Sequence, residues 1–480
     1  MKEILLEIIE YLKSKKVDYA DARFVSTIRE SISVKNGEVE ALSNNEARGV
    51  GIRVIAKGAW GFASTTVVTK SEIKKAANMA LQIAKASAMT IKEKVTLCEV
   101  EPYVDIFNTP FKEDPFEVPL SEKLDLLIRV TRELKSHKSI KTADAALDFW
   151  KTNKVFVSTE GALIEQNILE SGGGYTAIAV EGNETQWRSY PNSHRGDFIT
   201  GGYEYIRELD LLKHVDRVQH EAVALLKAPP CPSLEATIII DGSQLALQVH
   251  ESCGHPIELD RVLGTEISLA GGSFLTLDKM NNFQYGSPIV NIVQDATCER
   301  GLGSFGYDDE GVKAQRTDVV REGQFVGYLT SRETASVINQ TSNGCMRADG
   351  HNRIPLIRMT NINLEPGEGS LEELIADTKH GYLLDTNKSW SIDDKRLNFQ
   401  FGVEAAWEIT DGKKRRMLKN PVYTGITPEF WKSCDAICGR SEWHIWGIPS
   451  CGKGQPMQTA HVAHGTSPAR FNGVKIGVSK

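Results

Sequence analysis

Residues 245–260, LALQVHESCGHPIELD, set His250, Glu251 and His255 in an H-E-x-x-x-H pattern. Imidazoles are the commonest zinc ligands, and a carboxylate beside one of them can take a proton from an activated water. The familiar H-E-x-x-H arrangement puts both histidines on one helical face. Here the spacing is one residue longer, which on a regular helix leaves the two side chains about 140° apart. Both can address one ion only if the helix widens by a residue in a π-turn or comes apart at Gly254. Pro256, just past the second histidine, ends regular helix.

A tetrahedral catalytic site needs a third protein ligand and one open position. The late part of the chain offers His444, the His461/His464 pair and Cys451. Histidines in strands or loops are mostly packing residues. Cys451 sits in Pro449-Ser450-Cys451-Gly452-Lys453-Gly454-Gln455, a loop whose two glycines allow close approach and whose Lys453 would lower the thiol pKa.

The elements that must carry these residues read as an α+β protein. Residues 2–15 form an amphipathic helix, and short alternating runs follow at 20–26, 31–34 and 39–42, with a hairpin turn at Asn36-Gly37. A second hairpin spans 49–56 and 59–64, and residues 70–89 and 121–136 are helical. Strands return at 141–150, 155–158, 163–169 and 175–180, with turns expected at Asn153-Lys154, Glu160-Gly161 and the glycine run 172–174, before a long helix over 203–227. Both N-terminal segments run several strands and then a helix, which suggests an internal duplication. Three prolines in residues 228–233, APPCPS, mark a linker. Two domains are therefore expected, 1–228 and 234–480, with antiparallel or mixed sheets and segregated helices. In the second, a strand at 236–240 leads to Asp241, which can cap the motif helix with Gln244 as its capping-box partner.

Composition narrows the function classes. The 480 residues are 41% hydrophobic and 25% charged, an ordinary globular mix. A net charge of −7 argues against a nucleic-acid partner, which needs a basic patch. No apolar run approaches the ~20 residues of a membrane span. Glu3, Glu7 and Glu10 interrupt the first apolar stretch, so it reads as a helix and not a secretory signal, and the cytoplasm is the expected location. Eight scattered cysteines without a CxxC pair indicate reduced thiols, and Cys253 in the motif should pack away from the His250 face. No G-x-G-x-x-G stands between a strand and a helix to suggest a dinucleotide cofactor.

Several blocks in order resemble the TldD/PmbA family, on its TldD side. They are GVGIRVIAKGAWGFAS at 49–64, the H-E-x-x-x-H-x-x-E-x-D run at 250–260, YDDEGVKAQRT at 307–317, residues 323–332, RMTNINLEPG at 358–367, and Cys451-Gly452-Lys453. Two positions depart from the family pattern: its E-G-D is here Glu258-Leu259-Asp260, and its G-x-C is Pro449-Ser450-Cys451. The resemblance implies a zinc metalloprotease acting on peptides or unfolded segments, with one Zn²⁺ per chain. It implies His250, His255 and Cys451 as metal ligands and Glu251 as catalytic base. It also implies a dimer, either of this chain or with a PmbA-like subunit that lacks the motif. Glu258 and Asp260 match positions suited to orienting a ligand histidine. Two other readings stand beside it: a non-catalytic partner subunit of a related protease, which the intact motif argues against, and a metal hydrolase of a non-peptide amide.

Overall fold

The short strand patterns of the N-terminal half join, in the computed structural model, into four very long strands. The structure describes residues 1–265 and 267–478. β1 (Tyr19–Lys35) and β2 (Glu38–Ala56) form one hairpin, turning at Asn36-Gly37 with both φ angles positive, as the favoured two-residue hairpin turns require. β3 (Ala59–Thr65) adds to β2. After α2 (Lys70–Ser87), β4 (Val104–Asn108) and α3 (Leu120–Leu134) come β5 (Ile140–Ser158), β6 (Leu163–Glu181), β7 (Glu184–Tyr190) and β8 (Asp197–Thr200). The sheet order is β3-β2-β1-β5-β6-β4, with β7 and β8 also on β6. β1 and β5 pair antiparallel along their length, so the order reads alike outward from this central pair: β1-β2-β3 on one side, β5-β6-β7 on the other. Two copies of one unit would build such a sheet.

Three expectations for this half fail for physical reasons. β5 runs straight through Asn153-Lys154 because both flanking strands hold it there in register. The glycine run 172–174 is no turn but the middle of β6. A Cβ on Gly172 would lie 2.2 Å from the Phe198 ring and 2.3 Å from the Asp197 carbonyl, so β8 can close on β6 only over glycine. The helix expected over 203–227 breaks at Asp210, where φ is +43°, into α4 (Glu204–Leu209) and α5 (Val215–Leu225). The N-terminal helix α1 (Lys2–Ser14) and α2 bury Leu5, Ile8, Ile73 and Ala80 against Ile52 and Val54. α3 and α5 bury Leu127, Val130, Val218 and Ala222 against Leu147 and Phe149.

In the C-terminal half, β9 (Leu234–Ile240) pairs parallel with the strand His380–Ile392 and antiparallel with Ala469–Val478. The pairing continues through Pro421–Ile426 and Asn398–Thr410 and returns to His380–Ile392, so five strands close into a ring that leaves no free edge between them. Phe399, Phe401, Tyr423, Phe430 and Phe471 pack in its core, with Phe430 stacked 4.1 Å from Phe471. The overall class is α+β with antiparallel and mixed sheets. Among the described residues no helix is long and apolar enough to cross a membrane, and none of the eight cysteines is in a disulfide.

The halves meet through buried ion pairs on the YDDEG stretch. Arg53 of β2 binds Asp21 of β1 at 2.6 Å and Glu310 at 3.2 Å, all three side chains being no more than 5% exposed. Arg332 spans the same seam to Glu160 at 2.7 Å. Arg53→Ala would strand two buried carboxylates and should cost about 3–5 kcal/mol. The urea-unfolding midpoint measures it, and a midpoint unchanged from the parent would show the pairing to be energetically idle.

Candidate metal centre

The motif helix begins where Asp241 accepts the Ser243 amide at 3.0 Å. The expected capping box does not form, because Gln244 turns into the core and donates to the Tyr423 hydroxyl at 2.8 Å. α6 (Gly242–Val249) is buried on every side and passes directly into a π-turn, His250–Gly254. The His255 amide donates to the His250 carbonyl at 3.1 Å, five residues back. The chain thus takes the first of the two routes open to this spacing. The extra residue turns His255 round to the face of His250, and the ring centroids stand 4.8 Å apart. Two contacts hold the widened turn: Ser252 Oγ donates to the Gln248 carbonyl at 2.5 Å and accepts from Trp431 Nε1 at 2.9 Å. Gly254 leaves room for Met359, whose sulfur would lie 2.1 Å from a Cβ there. Cys253 points the other way, into the aromatic core.

Cys451 reaches the same point from a hairpin near the end of the chain, His444–Lys453 against Gln458–Thr466. The pairing register shifts between Ile448 and Cys451, so Pro449 and Ser450 bulge outward and Cys451 is turned inward. Its Sγ lies 3.9 Å from His255 Nε2, and the donor atoms of His250, His255 and Cys451 all fall within 4.8 Å of one another. All three residues are buried. Two imidazole nitrogens and a thiolate form a donor set that suits a borderline-soft divalent metal.

Each histidine has its far nitrogen fixed. The Ile362 carbonyl faces His464 Nδ1 at 2.9 Å and can only accept, so this nitrogen carries the proton. His464 Nε2, left as an acceptor, takes the Nδ1–H of His250 at 2.7 Å. That leaves the lone pair of His250 on Nε2. Burial holds both imidazoles neutral, His464 well below the usual histidine range. His255 Nδ1 lies 3.1 Å from the Glu258 carboxylate, which likewise leaves its Nε2 for a ligand. Burial alone would raise the Glu258 pKa, but Lys453, His255 and Arg261 overcome it and hold the group well below the carboxylate range.

Lys453 is not the cation that acts on the thiol. Its ammonium is taken by Asp260 at 2.7 Å and the Ile357 carbonyl at 2.8 Å, with Glu258 at 3.5 Å. Burial raises the Cys451 pKa, and Arg358 together with His255 brings it below the ordinary thiol value. Arg358 also donates to the Cys451 carbonyl. The Arg396 guanidinium stands 3.6 Å from the Glu251 carboxylate, and Glu251 Oε2 is buried without a hydrogen-bond partner.

His461 and His444 lie elsewhere. His461 Nδ1 meets Glu170 at 2.9 Å and His444 Nε2 meets Asp197 at 2.6 Å. Strand geometry explains the split of the H-x-x-H pair, since residues three apart on a strand face opposite sides. His464 therefore turns inward behind His250 while His461 turns outward. Sequence reasoning missed His464 as the partner of His250, and that alternation was the available signal. Nothing in the sequence pointed to Arg358 or Arg396. A cleft of about 730 Å³ opens beside the centre, between Trp150 and Trp187 of the N-terminal sheet and Trp390, Pro449 and Ser450 of the C-terminal half.

Comparison with known proteins gives a consistent result. Residues 233–477 match the PmbA/TldA metallopeptidase C-terminal domain, residues 20–84 its domain 1 and residues 113–226 its central domain. The first two segments in chain order fall on the one eight-stranded sheet. A metalloprotease of Methanocaldococcus jannaschii is 31% identical over 436 residues, covering 91% of this chain and 92% of its own. A zinc metalloprotease TldD homolog of Saccharolobus solfataricus is 23% identical over 98% of this chain and 99% of its own. In fold, a proposed modulator of a DNA gyrase from Thermotoga maritima superposes with a TM-score of 0.78 at 17% identity, over 99% of both chains.

Proposed function

The chain belongs to the PmbA/TldD metallopeptidase family, and from that premise we propose that it is a zinc-dependent peptidase cutting peptides or unfolded segments, with His250, His255 and Cys451 as ligands and Glu251 as general base. The observation that carries the reading is the pair of buried relays behind the histidines. Ile362–His464 behind His250 and Glu258 behind His255 each leave an Nε2 lone pair facing a thiol of lowered pKa. A packing histidine does not need its tautomer fixed by two successive buried partners.

When bound, zinc would supply a Lewis acid that lowers the pKa of a water and polarises the scissile carbonyl. The protein does the rest. Glu251, whose Oε2 makes no hydrogen bond within the protein, accepts the proton of the attacking water and returns it to the leaving amine. Arg396, 3.6 Å from that same oxygen, helps hold the carboxylate in place. The cleft between the two halves is where an extended chain would bind. Free cysteines throughout and a thiol in the donor set suit the reducing cytoplasm.

The test is metal analysis of the purified chain together with cleavage of an unfolded polypeptide. About one zinc per chain and activity abolished by chelation are expected, and a metal-free chain that still cuts would end the reading. Two further outcomes follow. His464→Ala removes the acceptor of His250 Nδ1–H and should weaken zinc affinity by about 10- to 100-fold, read by competition with a chromophoric chelator. Light scattering should give a dimer, either of this chain or with a PmbA-like subunit, and a monomer that cuts peptides at full rate would refute the dimer as the working form.

A further inference from the structure

The segment between β7 and β8 brings a histidine from the N-terminal half to the edge of the metal centre. His194 borders the cleft, with Trp390 edge-on at 6.1 Å. Its Nε2 is shut off from water and has no hydrogen-bond partner. A buried imidazole nitrogen left so is unfavourable unless something meets it. The groups close enough to bear electrostatically on its ring include His250, Glu251 and Asp197. Burial holds it neutral, with a pKa of about 4, and a neutral imidazole can donate one N–H without repelling a nearby cation.

The segment is braced. The Asn192 side chain accepts the His194 amide at 2.8 Å. Asp197 is fully buried and accepts from the Tyr205 hydroxyl at 2.6 Å, His444 Nε2 at 2.6 Å and the Gly447 amide at 2.7 Å. His444 and Gly447 lie on the same strand as Cys451. Gly447 admits this contact, for a Cβ there would lie 1.9 Å from the Phe198 carbonyl oxygen. The strand that brings Cys451 inward thus also anchors Asp197, three residues beyond His194.

We infer that His194 is a catalytic residue whose Nε2–H binds the carbonyl oxygen of the peptide bond being cut. The inference rests on the peptidase reading above. As the water oxygen bonds to the carbonyl carbon, the π pair moves onto the carbonyl oxygen and the water proton goes to Glu251. His194 holds the resulting oxyanion with its N–H and keeps its own proton throughout. The pair then returns to re-form the carbonyl, the C–N bond breaks, and Glu251 protonates the leaving nitrogen. A donor already in place and out of water is worth most at this step.

The test uses the full-length zinc-loaded protein and reduced, carboxymethylated lactalbumin, a permanently unfolded chain. His194→Phe should lower kcat by about 100- to 1,000-fold with KM nearly unchanged and zinc content equal to wild type. A phosphinic pseudopeptide, which mimics the tetrahedral centre, should lose affinity for this variant far more than the product peptides do. His194→Gln, with a donor of its own, should fold like the parent and recover part of the rate. Turnover of His194→Phe within about threefold of wild type, or loss of zinc in either variant, would overturn the assignment. If His194→Phe does not fold, a wild-type rate in a folded His194→Ala variant overturns it equally. A wild-type enzyme that fails to cut the unfolded chain would instead defeat the peptidase reading.

Discussion

Glu251→Gln should retain its zinc and lose peptide hydrolysis by about 100- to 10,000-fold, the usual contribution of a positioned general base. The substitution keeps size and hydrogen-bonding capacity and removes the charge and the basic lone pair. The metal should stay because the ligand atoms and their relays do not involve this side chain; Glu251 Oε2 makes no hydrogen bond within the protein. Arg396 loses the carboxylate 3.6 Å away, which adds a modest loss of stability. Metal analysis and a steady-state rate on one preparation separate the two effects. Wild-type turnover in a zinc-replete variant would remove Glu251 from the mechanism.

Cys451→Ser should weaken zinc binding beyond the ~10- to 100-fold that loss of an outer partner costs, because a hydroxyl is a poor ligand beside a thiolate. Metal loss on its own would not identify Cys451. His464 stands directly behind His250, so replacing it also loosens the metal. X-ray absorption on the wild type decides the matter. One sulfur at about 2.3 Å is expected, and a shell of nitrogen and oxygen alone would exclude Cys451. The Ser variant should also make residues 449–455 easier to cut with an added protease, since metal binding helps order the loop that supplies its ligand.

Much of the site was legible in the sequence. The spacing of His250 and His255 demanded either a widened or a broken helix, and the π-turn is one of those two forms. The tight turn at Asn36-Gly37 was readable from local chemistry alone. What stayed hidden depends on distant pairing. Residues 43–48 of β2 are largely exposed and polar, so no apolar alternation marks them as strand; β1 holds them in place from one side. The glycines of β6 resemble a turn until β8 is laid across them. Lys453 sits two residues from Cys451 and looked like its cation, yet the carboxylates of Glu258 and Asp260 claim it and Arg358 acts in its place. His194 carries no motif, and its position depends on a fold that brings residues some 250 apart together at Gly447.

The hairpin that delivers Cys451 and His464 also sets the order in which the centre can come into being. A chain emerging from the ribosome exposes His250, Glu251 and His255 long before residues 444–466 are made. Until then His250 lacks its acceptor, the third donor atom is absent, and the ring of five strands lacks the closing member Ala469–Val478. The half-made protein therefore has Glu251 and two imidazoles but no assembled cluster. Late arrival of the last donor keeps the three-residue cluster from forming until nearly the whole C-terminal half has been made.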